Sequence, residues 1–372
     1  MNSNSLKLLF VIKSLGTPGG GAERVLCDIC SALAGRGHSV TIASFDDPRS
    51  SDFYSVDQGV ERLRLGIGKA AAPSGPIEFI RRTARLQSLL ATCRPQVSIG
   101  FMHSAFVPLA IAGRMTGVPV IASEHISFGH YRARPLQRAL ACVVTPLCAA
   151  ITAPMEDVRS GFPPAIAARM KVISNPVTVA SSRRSPSKGR RRLLFVGNFR
   201  AQKDHRTLIA AFARLASAYP EWDLRLVGDG ELRGEIEAQV LQLGVESRVL
   251  FAGAVNDMAA EYSAADLYVV PSTYESFGLA TAEALSSGMA AVGFADCAGT
   301  NRLIEHGRNG ILVEGNDRVA VLAEGLARLM ASAKVRNALG KSGPGAVNHY
   351  SLHAVADRWE ELLRSTAFET GQ

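Results

Sequence analysis

The sequence predicts an α/β protein of two doubly wound, mostly parallel sheets facing a central cleft. Three observations carry that prediction. Short apolar runs alternate with helical patterns along the whole 372-residue chain. The alternation stops once, at a polar segment rich in Pro, Ser and Arg, and then restarts. The length suits two domains of ordinary size, each with enough apolar material for a core.

The first half opens with LKLLFVIK, GAERVLCDICSALAGRG and SVTIAS, which read as strand, helix and strand. VERLRL, a helix near 77–92 and the strand VSIGF follow. Next come a helix near 104–116, VPVIAS, a helix near 135–144, AAITA, a short helix and KVIS. SNPVTVASSRRSPSKGRRR then carries six basic residues from Arg183 to Arg192 and no hydrophobic period, as a linker would. Beyond it lie RLLFVGN, a helix near 205–218, WDLRLVGD, a helix near 231–243, RVLFAG and DLYVV. A helix of small residues, AAVGF, GILVE and further helices complete the chain. The expected domains are 1–180 and 193–350, joined by a basic linker at 181–192. A C-terminal helix at 351–372 can return to the first domain.

No apolar run reaches the length of about 18 residues that a membrane-spanning helix needs. The N-terminal apolar run is interrupted by Lys13 and Gly16 and reads as a first strand, not a signal peptide. Cys27 and Cys30 form a C-x-x-C inside a helical pattern, with no second pair to complete a zinc set. The six cysteines therefore read as reduced thiols of a cytoplasmic protein. The formal charge of +8 is unevenly spread. Residues 1–192 hold 25 Lys and Arg against 11 Asp and Glu, and the remainder holds 16 against 22. A basic first half points to an anionic partner, either a phosphate-bearing acceptor or an anionic membrane surface. The plainer alternative is a solvated surface of biased composition. No Arg–aromatic interleaving supports nucleic acid as the partner.

Open parallel sheets bind ligands outside the carboxyl ends of their strands, so strand exits are where site residues belong. At the first exit Gly19, Gly20 and Gly21 precede a helix and allow close backbone approach to an anion, or merely a tight turn. A dinucleotide fingerprint fails there because Arg24 occupies its third glycine position, and the Gly-Lys-Ser/Thr of a P-loop is absent. VPVIASEH ends in Ser123, Glu124 and His125, which either cap the next segment or set His125 beside a reacting sugar. At the FMHS exit, the structural reading of His103 is favoured. In the second half, Arg200, Lys203 and His205 stand just before a helix. Cations there can hold a diphosphate without a metal, or simply be solvated. Gly228, Asp229 and Gly230 mark the next exit, where Asp229 and Glu231 suit a helix start.

YESFGLATAEALSSG carries the most chemistry. Glu275 leaves a buried strand, Ser276, Phe277, Gly278 and Leu279 start a helix with free N–H groups, and Glu283 lies further in. Carboxylates accept the paired hydroxyls of a vicinal diol. One ligand fits both ends: hexose hydroxyls at Glu275, a diphosphate at the helix start and ribose at Glu283. The competing reading is a capped helix with a buried, salt-bridged Glu283.

GGAER, the strand-end SEH, VGNFRAQKD, LVGDGE and E-SFGLATA-E, taken in this order, resemble the retaining GT-B glycosyltransferases of family 4. The resemblance runs over nearly the whole chain and is strongest over 193–315, where DCAGTNRLIEHGRNGILVE also looks like that family. It implies two Rossmann-like domains, with the acceptor held mainly by the first and a nucleotide sugar, UDP-sugar favoured, by the second. It implies a donor-diphosphate contact for Lys203, phosphate contacts for the amides around Phe277 to Leu279, ribose at Glu283 and the donor sugar at Glu275. His125 matches a histidine near the donor sugar, and Gly20 and Gly21 match a loop near the diphosphate. Glu275, His125 and Lys203 become the catalytic candidates, with Glu124 and Arg24 on the acceptor side.

Two positions depart from the family. Asn198 stands where many members carry an arginine, which leaves Arg200, two residues on, as the candidate replacement. Gly299-Thr300-Asn301-Arg302 replaces a Gly-Pro-Arg-Glu.

The implied reaction is retaining hexosyl transfer, with no cofactor and no metal, to a polyprenyl-diphosphate-linked or other glycan acceptor. That places the protein in bacterial capsule, exopolysaccharide or lipopolysaccharide assembly, peripheral on the inner face of the cytoplasmic membrane. No D-x-D pair of the metal-dependent type occurs, since Asp46 and Asp47 lack the spacer. The alternatives are a non-hydrolysing sugar-nucleotide epimerase, a nicotinamide-dependent oxidoreductase and a non-catalytic sugar-nucleotide binder.

Overall fold

The computed structural model describes residues 5–68, 75–132, 134–178 and 189–369. The chain divides into two compact units, Met1–Pro176 with Leu352–Gln372, and Val177–Ser351.

The first unit runs β1 (Lys7–Ile12), α1 (Gly21–Gly35), β2 (Ser39–Ser44), β3 (Glu61–Arg64), α2 (Pro76–Cys93), β4 (Val97–Phe101) and α3 (His103–Thr116). It continues through β5 (Val120–Ser123), α4 (Pro135–Val144), β6 (Ala150–Ala153), α5 (Glu156–Ser160), α6 (Pro164–Ala167) and β7 (Met170–Val172). The strands form one sheet in the order β3-β2-β1-β4-β5-β6-β7. Every pairing is parallel, from Leu8 opposite Val97 to Phe101 opposite Ser123. Strands such as VSIGF are buried at every position, as the unbroken apolar runs of a sheet covered on both faces require.

The second unit runs β8 (Arg191–Val196), α7 (His205–Ala216), β9 (Trp222–Val227), α8 (Arg233–Gln242), β10 (Val249–Gly253), α9 (Met258–Ser263) and β11 (Leu267–Val270). Then come α10 (Leu279–Ser286), β12 (Ala291–Phe294), α11 (Thr300–Leu303), β13 (Gly310–Val313), α12 (Arg318–Ala331) and α13 (Ala333–Val347). Its sheet order is β10-β9-β8-β11-β12-β13, again all parallel. The core centres on Phe195, Phe212, Trp222, Leu226 and Val269, all fully buried.

The last helix, α14 (Leu352–Glu369), belongs to the first unit. Trp359, Val355 and Leu363 bury on it, and Arg36 at the end of α1 pairs with both Asp357 (2.7 Å) and Glu360 (2.9 Å).

The basic linker needs correction. Residues 181–188 lie outside the described residues, but Arg191 and Arg192 open β8, and the first unit ends at Pro176. Acidic partners in the second unit absorb the end of the basic run. Arg190 pairs with Asp223 at 2.6 Å, and the Arg192 amide donates to Asp266 at 3.0 Å. The Arg191 guanidinium lies over the Trp222 ring. A strand can begin on arginines whose stems pack and whose heads pair, so the apolar period, first visible at Leu193, dates the boundary two residues late. The helix foreseen near 231 likewise starts at Arg233, with Asp229 accepting an ion pair from Arg233 at 3.2 Å.

Candidate functional site

In the second sheet the strand order reverses direction between β8 and β11, the switch point where such sheets open a crevice at their carboxyl ends. The exit of β8 carries Lys203 and the exit of β11 carries Glu275. Topology alone therefore brings together two residues that stand 72 apart in sequence. The Lys203 ammonium donates to both carboxylate oxygens of Glu275, at 2.6 and 2.8 Å. Ser272 Oγ donates to Glu275 Oε1 at 2.7 Å. Both partners are half-buried, with side chains 19% and 11% exposed, so the pair is sheltered yet reachable.

The next exit, after β12, holds Glu275 from the other side. The Glu275 amide donates to the Ala298 carbonyl at 3.1 Å. Gly299 follows at φ 84°, and a Cβ there would lie 2.4 Å from the Glu275 carbonyl oxygen, so only glycine fits. On the β8 side, the Phe199 amide donates to the Asp229 carbonyl at 3.0 Å. A Cβ on Gly228 would lie 2.3 Å from the Gly197 carbonyl oxygen. The glycines of LVGDGE thus serve to seat the loop that carries Asn198, Arg200 and Lys203. Arg200 is exposed and makes no ion pair among the described residues, and Asn198 is half-buried. His205 stacks on Phe199 at 4.2 Å, and burial followed by the Lys203 charge pushes it down to about 4, so it is a neutral packing residue.

Gly278 is the N-cap of α10 and, having no side chain, leaves the first amides of the helix without a side-chain cap. Ser276 and Leu279 are half-buried beside it. The Phe277 ring is buried, edge-on to Tyr350 at 5.1 Å, so only its backbone is available to a ligand. Glu283 is 4% exposed, and its Oε2 accepts the Tyr262 hydroxyl at 2.8 Å. Tyr268 was legible only as a residue of a buried strand. Its phenol is fully buried, and burial first, then the Glu275 and Glu283 charges, push it upward. It therefore lies where both carboxylates act on it.

In the first unit the exits of β1, β4 and β5 are neighbours. Gly20 is the N-cap of α1, and Gly21 has open space where a Cβ would be. Arg24 lies along its own helix from Asp28, at 4.0 Å. Met102 adopts φ 67°, rare for a non-glycine, and so turns β4 into α3 with His103 as the first helical residue. The His103 ring sits edge-on to Tyr131, and burial, then His130, Arg134 and Lys13, push it down to about 4.

His125 stacks on Phe101 at 4.9 Å, and Phe101 stacks on Trp359 of α14 at 6.0 Å. Thr152 donates to Ser123 Oγ at 3.0 Å, and Ser123 Oγ in turn hydrogen-bonds His125 Nε2 at 2.9 Å. Burial pushes His125 down to about 4, so the ring is neutral at pH 7.

Glu124 corrects an expectation. It is not an acceptor-side group, because the residue is 1% exposed and its carboxylate is turned into the protein. One oxygen accepts the amides of His125 (2.9 Å) and Ile126 (3.1 Å), and the other accepts the Tyr131 hydroxyl at 2.5 Å. Glu124 caps no helix, since the next helical turn starts at Phe128 with Ser127 as its N-cap; it shapes the loop that presents His125. Cys27 and Cys30 are buried in α1, with Cys27 pushed up to about 12 by burial. Among the described residues no group of three or more His, Cys, Asp or Glu could hold a metal ion.

Residues 19–181 match the family model described as Glycosyltransferase Family 4, and residues 180–345 match that described as Glycosyl transferases group 1. The chain is 25% identical over 361 residues to an uncharacterized glycosyltransferase of Haemophilus influenzae, covering 96% of this chain and 99% of that one. It is 25% identical over 362 residues to the GalNAc-alpha-(1->4)-GalNAc-alpha-(1->3)-diNAcBac-PP-undecaprenol alpha-1,4-N-acetyl-D-galactosaminyltransferase of Campylobacter jejuni, covering 96% and 98%. Among solved structures, HepE of Anabaena, in complex with UDP and glucose, matches with a TM-score of 0.77 at 21% identity, over 97% of this chain and 100% of that one. Two doubly wound units, a strand-exit Lys–Glu pair and both family matches lead to one conclusion: the chain belongs to the family 4 glycosyltransferases of GT-B fold and is a glycosyltransferase.

Proposed function

We propose that the protein moves a hexosyl group from a nucleotide sugar, a UDP-sugar before others, to a lipid-linked or other glycan acceptor, with retention of configuration. The observation that carries this reading is the Lys203–Glu275 pair at the switch point of the second sheet, beside the uncapped start of α10. The HepE complex holds UDP and glucose, and the Campylobacter jejuni relative is named for an undecaprenol-diphosphate acceptor; both support the choice of substrates.

In this reading Lys203, Arg200 and the α10 amides carry the growing charge of the departing nucleoside diphosphate, so that a lysine does the work a metal does elsewhere. Asn198, on the same loop as Lys203, lines the phosphates. Glu275 takes hexose hydroxyls, and Glu283, oriented by Tyr262, takes ribose. Neutral His125 orients the sugar. The bond from the anomeric carbon to the diphosphate oxygen breaks as the acceptor oxygen bonds to that carbon on the same face. The acceptor proton passes to the departing phosphate oxygen.

Membrane docking is part of the proposal. No helix among the described residues is long and apolar enough to cross a membrane. On α4, however, Leu136 and Val143 are 72% and 70% exposed, with exposed Arg132, Arg134 and Arg138 close by in sequence. That combination suits an anionic inner-leaflet surface.

The test presents the protein with UDP-, GDP-, ADP- and dTDP-sugars, with and without EDTA, and follows thermal shift and nucleoside diphosphate release. One donor should stabilise the protein and be turned over regardless of EDTA. Lys203→Ala and Glu275→Gln should each lower kcat about 100- to 1000-fold, the scale of losing one charge-stabilising group. Wild-type turnover by Lys203→Ala would overturn the site.

A further inference from the structure

We infer that Arg318 is the positioning residue of this site, a clamp that holds in register the three strand exits carrying Lys203 and Glu275; the inference rests on the role proposed above for that pair. The Arg318 guanidinium lies 3.5 Å from the centroid of the Phe294 ring at the end of β12. From that seat its donors point in three directions. Nη1 donates to both oxygens of Asp296, at 3.2 and 3.1 Å, on the β12 exit. Nη2 donates to the carbonyls of Pro271 (3.1 Å) and Ser272 (3.5 Å), on the β11 exit. Nε lies 3.5 Å from Asp204 Oδ2, on the β8 exit, as an ion pair without a hydrogen bond.

Each contact is one step from the reacting pair. Asp204 follows Lys203 directly, stands at φ 47° and caps α7 by accepting the Thr207 amide at 3.3 Å. Ser272 donates its hydroxyl to Glu275. The loop from Asp296 continues to Ala298, whose carbonyl accepts the Glu275 amide, and to Gly299 against the Glu275 backbone. One planar group thus ties the β11 exit by its carbonyls and the β12 and β8 exits by their aspartates, around the Lys203–Glu275 contact. A lysine at 318 could carry the charge but could not hold the Asp296 carboxylate and the Pro271 and Ser272 carbonyls from one plane.

Helix energetics do not account for the residue. Arg318 is the first residue of α12, where a cation meets the unfavourable end of the helix dipole. Capping there is done by Asp317, whose Oδ1 accepts the Ala320 amide at 3.0 Å. The favourable contacts of Arg318 all lead toward the site.

The experiment uses the full chain with Arg318→Ala and Arg318→Lys. Lys203 accessibility is read without nucleotide, by trace acetylation with acetic anhydride and mass spectrometry, with exposed Lys341 as the internal reference. Freed from its register, Lys203 should acetylate several-fold faster in Arg318→Ala, and Arg318→Lys should fall between. Should the alanine variant fail to fold, Arg318→Lys carries the same comparison. UDP binding by calorimetry should weaken about tenfold in Arg318→Ala, on the scale of losing hydrogen bonds to a charged group. It should weaken no further when Arg318→Ala is added to Lys203→Ala, because a residue acting through Lys203 has nothing left to position.

Unchanged Lys203 acetylation in Arg318→Ala, or an equal loss of UDP affinity with and without Lys203, overturns the clamp. Faster acetylation together with UDP binding that ignores Lys203→Ala, or no UDP binding by the wild type, upholds the clamp and counts against the donor reading instead.

Discussion

Glu124 sits under its loop with a pKa raised to about 7 from an ordinary 4.5, burial being the main cause and its three hydrogen bonds opposing it. A carboxyl whose folded-state pKa is raised favours the folded state in its protonated form. Its contribution is complete below the unfolded value and is lost as pH rises through the folded one. The wild type should therefore lose stability as pH rises from about 4.5 to about 7. Glu124→Gln keeps the volume and the acceptor for two amides, so its Tm should vary less over that window while sugar transfer is retained. A steeper pH dependence in the variant, or loss of transfer with the fold intact, would return Glu124 to the acceptor side. Glu275 is the contrasting case: a glutamate at a strand exit that the fold leaves half-open and pairs with a lysine. Both glutamates lie just beyond the end of a buried strand, Glu124 after β5 and Glu275 after β11. What separates them is which way the side chain turns, and that depends on neighbours such as Tyr131 and Lys203 that the local sequence does not contain.

At the scale of elements, α14 is tied to α1 by charge as well as by Trp359. Glu360 accepts from Arg364 at 2.5 Å and from Arg36 at 2.9 Å, and its Oε1 lies 3.4 Å from His38 Nε2. Its carboxyl is pulled down to about 2, first by Arg364, with Arg36 adding and burial opposing. A depressed carboxylate contributes stability above its unfolded pKa and loses it as pH falls through the folded one, here between about 4.5 and 2. Glu360→Gln should cost about 1 kcal/mol at neutral pH, the scale of a partly exposed ion-pair network. The cost should shrink toward zero below about pH 3. Urea unfolding of both proteins at the two pH values checks this, and a cost that persists in acid would assign the effect to packing. The stake is more than docking, since Trp359 on the same helix stacks under Phe101, and Phe101 under His125.

Over the whole molecule the basic excess of the first 192 residues and the exposed Leu136 and Val143 point the same way. Vesicles containing phosphatidylglycerol should bind the protein at low salt, and phosphatidylcholine vesicles should not. Binding should fall steeply near 1 M salt, where the screening length shrinks to about 3 Å. Leu136→Glu with Val143→Glu should remove vesicle binding and leave donor binding intact. Failure to bind anionic vesicles at low salt would favour a soluble acceptor.

The sequence by itself determined the two parallel sheets, because a strand buried on both faces must be an unbroken apolar run and a crossover helix must show its own period. It also located the chemistry, since strand exits such as those of Lys203 and Glu275 can be read wherever a strand can. Tertiary structure alone decided which exits meet. Strand order places β8 beside β11, and only then do residues 203 and 275 form an ion pair. Arg318 could not be read at all, because next to Asp317 it looks like any solvated helix start. Its role arises from carbonyls and carboxylates on three distant loops, and hydrogen bonding of that kind leaves no period in the chain.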